Sequence, residues 1–218
     1  MWHTGIASNM NFPAPVAVLG LLAGVAGLGL SGLAAIALLL LRKMQWLHWL
    51  CGLAGVGAVV YFGLLFGFSL ASHETTLVAG QEKYFCEIDC HLAYSVSGVR
   101  EELPDGRRQV RIKLRTRFDE TTISPRRPKD APLTPNGREV RLIDGQGRSF
   151  APVATAGTPL TRGLIPGDSY ETELTFQVPA DAKQLRLLLT DPSWDLHLLI
   201  GDENSLAHRK TYFAVPTA

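Results

Sequence analysis

The chain has no acidic residue before Glu74 and no Lys or Arg before Arg42. From Val16 to Leu41 it carries no charged residue for 26 positions, and from Trp46 to Leu70 none again. A helix in a soluble core keeps a polar face, and these runs have none, which excludes an ordinary soluble hairpin. About 20 apolar residues cross a bilayer core as helix, so each run is long enough to span with some tilt. A basic excess is also missing. All 20 acidic residues and 19 of the 21 basic ones follow Ser72, a formal balance of −1 that excludes nucleic acid as a partner. Neither span holds an Asp, Glu, Lys or Arg, which argues against an ion or proton path between them. No Cys-x-x-Cys, His-Glu-x-x-His or Gly-rich phosphate loop occurs, and His197 and His208 have no Ser and Asp spaced as a triad. Catalysis is therefore not expected.

What is there begins with a hairpin. Residues 1–15 read as an extracytoplasmic N-terminal segment and 16–71 as two transmembrane helices, about 16–41 and 46–70, joined by a turn at 42–45. Arg42 and Lys43 are the only basic residues beside the spans, and cytoplasmic loops collect Lys and Arg. The turn is thus expected in the cytoplasm and both termini outside, in a bacterial inner membrane. The first 15 residues lack the basic start of a cleavable signal, so the first span reads as retained. Trp2, Phe12, Trp46 and Trp49 suit the two interfaces. Gly20 and Gly24, Gly27 four beyond Ala23, and the pair Gly63 and Gly67 provide small-residue spacings at which helices approach closely. They are expected to pack the two helices on each other or to dock the hairpin onto a larger membrane complex. His48 and Cys51 fall near the inner interface.

After a linker at 72–83, residues 84–218 read as one all-β extracytoplasmic domain. Tyr84 to Val96 alternates, with Tyr84, Cys86, Ile88, Cys90, Leu92, Tyr94 and Val96 on one face. Gln109 to Phe118 does the same, with Val110, Ile112, Leu114 and Phe118 inward and the basic face Arg111, Lys113, Arg115 and Arg117 outward. Glu139–Ile143 runs into the turn Asp144-Gly145-Gln146-Gly147 and then Arg148–Val153. Pro166-Gly167-Asp168 introduces Ser169–Val178, with Tyr170, Leu174, Phe176 and Val178 inward. Leu185–Leu189, Leu196–Ile200 and Lys210–Val215 complete the set. Short strands with Pro/Gly turns and no amphipathic helix predict a sandwich, so the fold class is α+β: a transmembrane hairpin followed by an immunoglobulin-like β-sandwich. Thr121–Gly137, with four prolines, reads as a long loop and a candidate recognition edge.

Val140–Phe150 (Val-Arg-Leu-Ile-Asp-Gly-Gln-Gly-Arg-Ser-Phe), Leu164–Ser169 and the strand ending at Val178-Pro179 resemble bacterial immunoglobulin-like envelope domains. The likeness covers roughly residues 80–216 and implies a binding or scaffold role. The layout, two helices with both termini outside and then a β-sandwich, is similar to subunit II of haem-copper oxidases. The dicopper motif of that family has two Cys four apart, a His four beyond and a following Met. Cys86 and Cys90 match the first spacing, but position 94 is Tyr94 and no Met follows Met44.

Cys86-Glu87-Ile88-Asp89-Cys90-His91 is the one constellation with chemistry in it. Two thiols and an imidazole suit copper or zinc, the Cys-x₃-Cys-His spacing is a widened form of c-type haem attachment, and an oxidising compartment allows a disulfide. Two buried, inert thiols are the fourth reading. In a regular strand the two Cys stand about 13 Å apart, so every shared-site reading needs the strand to break. The opposite face presents Glu87, Asp89 and His91 as a polar row, which the basic face is placed to meet across strands. The leading functional reading is a non-catalytic accessory or scaffold subunit without cofactor. Its partners are the lipid bilayer and a larger membrane complex or extracytoplasmic protein, within a respiratory or photosynthetic electron-transfer assembly. The rivals are a metal-binding or redox protein using Cys86, Cys90 and His91, and an envelope sensor or ligand-binding module.

Overall fold

The structure, a computed structural model, describes residues 7–86, 90–103, 108–124 and 126–216. The chain gathers into two compact units, one of Asn11–Ser72 with Asp195–Arg209, the other of Met1–Met10, His73–Trp194 and Lys210–Ala218.

The first unit is built on α1 (Ala14–Leu40) and α2 (Met44–Leu70), each 27 residues and each long and apolar enough to cross a membrane. Pro15 lies in the first turn of α1, where its missing N–H costs nothing. The other end closes as a Schellman motif. Lys43 N–H donates to the Leu38 carbonyl at 2.9 Å and Arg42 N–H to that of Leu39 at 3.0 Å. Arg42 takes the left-handed conformation this requires, at φ 54°. The link differs from the expected 42–45: α1 ends one residue early at Leu40 and α2 begins two residues early at Met44.

Half-buried or buried positions mark the seam between the helices: Ala17, Leu21, Gly24, Ser31, Ala35 and Leu38 on α1, and Leu47, Leu50, Ala54, Ala58, Tyr61 and Leu65 on α2. The expectation that the glycines bring the two helices together is corrected here. A Cβ built on Gly20, Gly24, Gly27, Gly63 or Gly67 meets nothing within 4 Å, and Gly27, Gly63 and Gly67 are exposed, off the seam. The small residues of the seam are mainly alanines, Ala17, Ala35, Ala54 and Ala58, beside Gly24 and Ser31.

Asp195–Arg209 belongs to this helical unit. Tyr61 donates its hydroxyl to the Leu198 carbonyl at 2.7 Å, and Asn11 N–H donates to Gly201 O at 2.9 Å. The strand expected at Leu196–Ile200 is instead a 3₁₀ turn, Trp194–Leu198. Its apolar residues mimic a buried strand, but Leu199 N–H turns back to the Leu196 carbonyl.

The second unit is a mixed β-sandwich of two sheets. One sheet contains β1 (Ala7–Ser8), β3 (Lys83–Phe85), β4 (Leu92–Glu102), β5 (Arg108–Phe118), β8 (Pro152–Gly157) and β9 (Ser169–Val178), in the order β1-β3-β4-β5-β9-β8. The other contains β2 (Thr75–Leu77), β6 (Glu139–Ile143), β7 (Ser149–Phe150), β10 (Arg186–Thr190) and β11 (Thr211–Ala214), in the order β2-β11-β10-β6-β7. β1 with β3 and β2 with β11 run parallel, and the remaining pairs are antiparallel. The sandwich therefore recruits residues read as N-terminal segment (β1) and as linker (β2 and Lys83). Its core joins inward residues of both sheets, among them Val110, Ile112, Leu114, Phe118, Leu174, Phe176, Leu142, Leu187 and Phe213. The alternation read for β5 and β9 places those side chains correctly, because each strand has one wet and one dry face. Tyr84–Val96 is not one strand. It breaks after Phe85 and resumes at Leu92.

Candidate functional site

The break between β3 and β4 is where chemistry-bearing residues collect. Cys86 and Cys90 form a disulfide, with Cα atoms 4.1 Å apart. Only a chain doubled back on itself can do this, since four strand residues extend about 13 Å. Cys86 is buried and Cys90 exposed, so the two do not share a core face as the alternation predicts. His91 also differs from expectation: it is buried, stacks on Phe118 with ring centres 5.6 Å apart, and its Nδ1 lies 2.7 Å from Thr122 Oγ1. Thr122 Oγ1 donates in turn to the Asp119 carbonyl at 2.8 Å, leaving an oxygen lone pair for the imidazole N–H.

This arrangement corrects the site drawn from Cys86, Cys90 and His91. Copper, zinc and c-type haem each require free thiol groups at the two cysteines, and in a disulfide both sulfurs are taken. Among the described residues, no three His, Cys, Asp or Glu side chains come together as a metal-ligating group. Glu87 and Asp89 lie outside the described residues. His91, the third member of the polar row, faces inward rather than standing on an exposed strand face.

Beside the disulfide, on the outer face of the six-stranded sheet, a compact polar network ties three strands. Register places Tyr84, Ala93 and Arg117 side by side across β3, β4 and β5. Ala93 is small, so the two long side chains meet over it. Arg117 forks onto Glu82, with Nε to Oε1 at 2.8 Å and Nη2 to Oε2 at 2.6 Å, and also donates to the Tyr84 hydroxyl at 2.9 Å. Tyr84 donates to Asp119 Oδ2 at 2.5 Å, and Thr121 gives Asp119 Oδ1 both its backbone N–H and its hydroxyl.

Electrostatics follow from these bonds. Burial pulls the Asp119 carboxyl up, but the hydrogen bonds from Tyr84, Thr121 and Arg117 together hold it well below the usual carboxylate range. The Arg117 bond lowers Glu82 likewise, against a smaller effect of burial. Burial first, and then the bond to Asp119, push the Tyr84 phenol far above its ordinary value. The network is thus charged at neutral pH and its hydroxyl held, which suits a structural tie.

The remaining basic face is accounted for on its own sheet. Arg111 approaches Glu102 at 3.1 Å and Glu173 at 4.0 Å, Lys113 approaches Glu171 at 3.9 Å, and Arg115 donates to Ser169 Oγ at 3.1 Å. Among the described residues its acidic counterparts are thus residues of β4 and β9; Glu87 and Asp89 of the expected row lie outside them. These exposed pairs are each worth about 0–1 kcal/mol.

Between the sheets, sequence reasoning missed a charged cluster. Lys83 is fully buried and donates from Nζ to the Leu189 carbonyl at 2.9 Å and the Thr211 carbonyl at 3.2 Å, tying β3 to β10 and β11. Arg138 is paired with Asp191 at 2.6 Å, both side chains nearly inaccessible. The Phe85 ring lies between these two cations, 4.9 Å from Lys83 Nζ and 4.3 Å from the Arg138 guanidinium. The alternation of Lys83, Tyr84 and Phe85 was the available signal, since it puts Lys83 on the face of Phe85.

Arg42 and Lys43 occupy the hairpin turn as expected. No family model matches the sequence, and no curated protein matches it. Among solved structures, the chain is similar to MPT63, a secreted protein from Mycobacterium tuberculosis, at 10% identity and a TM-score of 0.42, covering 67% of this chain and 99% of that one.

Proposed function

We propose that this protein is a non-catalytic scaffold or accessory subunit of a bacterial inner membrane. Its immunoglobulin-like sandwich stands on the extracytoplasmic side and meets a partner protein there, and its hairpin docks on a larger membrane assembly of the electron-transfer kind. The observation that carries this reading is the exposed glycine ridge of the helices. Gly27, Gly63 and Gly67 face away from the hairpin seam with open space at each Cβ position. In lipid such ridges let another helix approach closely, where packing replaces the hydrophobic drive.

The experiment is isolation from native membranes in mild detergent, reading particle size and visible spectrum together. The wild-type chain is expected to travel with a larger, pigmented or haem-bearing assembly. Gly63→Leu with Gly67→Leu is expected to release it as a small particle with the sandwich intact, because both positions are exposed and a Cβ at either meets nothing within 4 Å. A small colourless wild-type particle overturns the proposal.

The rival redox reading draws on the same disulfide. Cys90 is exposed and open to attack by an external thiolate, whereas Cys86 is buried. The two readings separate on Cys86→Ser: the scaffold keeps its assembly, and a redox partner loses its signal.

A further inference from the structure

Asp195–Arg209 carries an inference beyond the scaffold role, resting on the reading of α1 and α2 as membrane spans. Twenty-seven helical residues rise about 40 Å, roughly 10 Å more than a bilayer's hydrocarbon core. With Trp46 and Trp49 at the interface of the turn end, that core extends about 20 residues along α2, to roughly Phe66–Ser69. Tyr61 lies nine residues before Leu70, about 13 Å down the axis, and helical side chains lean further toward the N-terminus. The Leu198 carbonyl that accepts its hydroxyl bond therefore sits below the level at which hydrocarbon ends.

Non-helical backbone at such a depth must have its polar groups satisfied by protein. This segment satisfies them largely by itself. Backbone N–H groups of Leu199, Asp202, Ser205, Leu206 and His208 donate to the carbonyls of Leu196, Leu199, Asp202, His197 and Ser205 respectively. Asn204 N–H donates to the Asp202 carboxylate, and the Ser205 hydroxyl donates to Leu199 O. The rest of the helical unit holds its middle and its last residue, Gly201 O by Asn11 N–H and Arg209 N–H by Ser72 Oγ. Gly201, at φ 76°, is required for that approach, since a Cβ there collides with Phe12 and Asn11.

Side chains divide to match. Leu199, Ile200, Asp202 and Glu203 are buried, so two of the three carboxylates present no charge outward. Trp194, which opens the 3₁₀ turn, is 75% exposed and Leu206 44%, with His197 exposed between them in sequence. We propose that Asp195–Arg209 is a third membrane-contacting element. It is an interfacial loop whose His197 and Leu206 side chains lie at the boundary between headgroups and acyl chains of the leaflet at the Ala14/Leu70 end.

The test uses the full chain with Cys51→Ser, its disulfide left intact, in phosphatidylcholine–phosphatidylglycerol vesicles. Nitroxides are attached singly at Leu206→Cys, His197→Cys, Leu53→Cys and Val153→Cys, and their collisions with oxygen and with a water-soluble nickel chelate are compared. Leu53 is an exposed α2 position and Val153 an exposed sandwich position. A several-fold higher oxygen-to-nickel ratio than at Val153, seen at Leu206 or His197 and at Leu53, is the expected result. Aqueous ratios at both loop sites with a lipid ratio at Leu53 overturn the proposal and leave the spans standing. An aqueous ratio at Leu53 removes the membrane reading itself, and the loop proposal with it.

Discussion

Arg138 has a guanidinium that is almost wholly buried, with the Asp191 carboxylate on one side and the Phe85 ring on another. Inside a protein a charge pair is costly to desolvate and costlier to halve. Removing one partner of such a pair typically costs about 3–5 kcal/mol, because the survivor is left charged and dry. Arg138→Ala is therefore expected to destabilise the sandwich by roughly that amount, read as a lowered urea midpoint in near-ultraviolet circular dichroism. Arg138→Met combined with Asp191→Leu removes both charges at once and is expected to lose clearly less than the sum of the single changes. Additive losses would mean the two charges are not coupled. Lys83 belongs to the same argument, since its ammonium reaches two carbonyls of the opposite sheet and its stem fills core.

At the scale of elements, β3 is a three-residue strand that owes its place to side chains as much as to its ladder. Glu82, Tyr84, Arg117 and Asp119 fasten it to β5 across β4. Asp119 and Glu82 titrate below their ordinary values in the folded chain, so their contribution is present above the unfolded carboxyl range and lost as pH falls through the folded one. Stability is thus expected to hold from neutrality down to about pH 4 and to decline below it. Asp119→Asn is expected to lower stability at pH 7 and to flatten that decline, measured as urea midpoints between pH 2 and 7. An unchanged slope would remove Asp119 from the tie.

The strands legible beforehand were those with one wet and one dry face. β5, β6 and β9 have the residues expected of them because inward and outward positions alternate, with only Thr116 and Thr172 as polar residues on the dry faces of β5 and β9. The same rule overran at Cys86–Cys90, where alternation continues by coincidence between two disulfide-bonded cysteines whose Cα atoms lie 4.1 Å apart. It overran again at Leu196–Ile200, where apolar residues pack into the helical unit instead of a sheet. The candidate site was half visible: Arg117 announced itself in the basic stripe, whereas Arg138 and Lys83 did not. A buried cation and a solvated one are the same letter, and only tertiary packing distinguishes them.

For the whole molecule, two features far apart in the sequence bear on the proposed orientation. The turn between the helices carries Arg42 and Lys43, and cytoplasmic loops collect such charge. The sandwich carries Cys86–Cys90 as a disulfide, a bond that persists in oxidising compartments and is rare in the cytosol. Both agree with the proposed topology, turn inside and sandwich outside. Arg42 sharpens the point, because its left-handed backbone is the position where helices ordinarily end in glycine. A non-glycine residue there costs about 1–2 kcal/mol, which Arg42 bears while supplying half of the turn's charge. Arg42→Gly should therefore relax the backbone and, with Lys43 kept, leave orientation unchanged. Arg42→Gln together with Lys43→Gln should let a substantial fraction of chains insert the other way. A C-terminal alkaline phosphatase fusion, active only outside the cytoplasm, reads both: high activity for wild type and Arg42→Gly, and a several-fold loss for the double variant. Thiol labelling of Cys86 and Cys90 in the double variant should rise in step, because sandwiches left in the cytoplasm keep their thiols reduced. Activity that stays high without the two charges would shift the orienting signal to the sandwich or the N-terminal segment. Low activity in the wild type would put the disulfide on the wrong side of the membrane and overturn the topology outright.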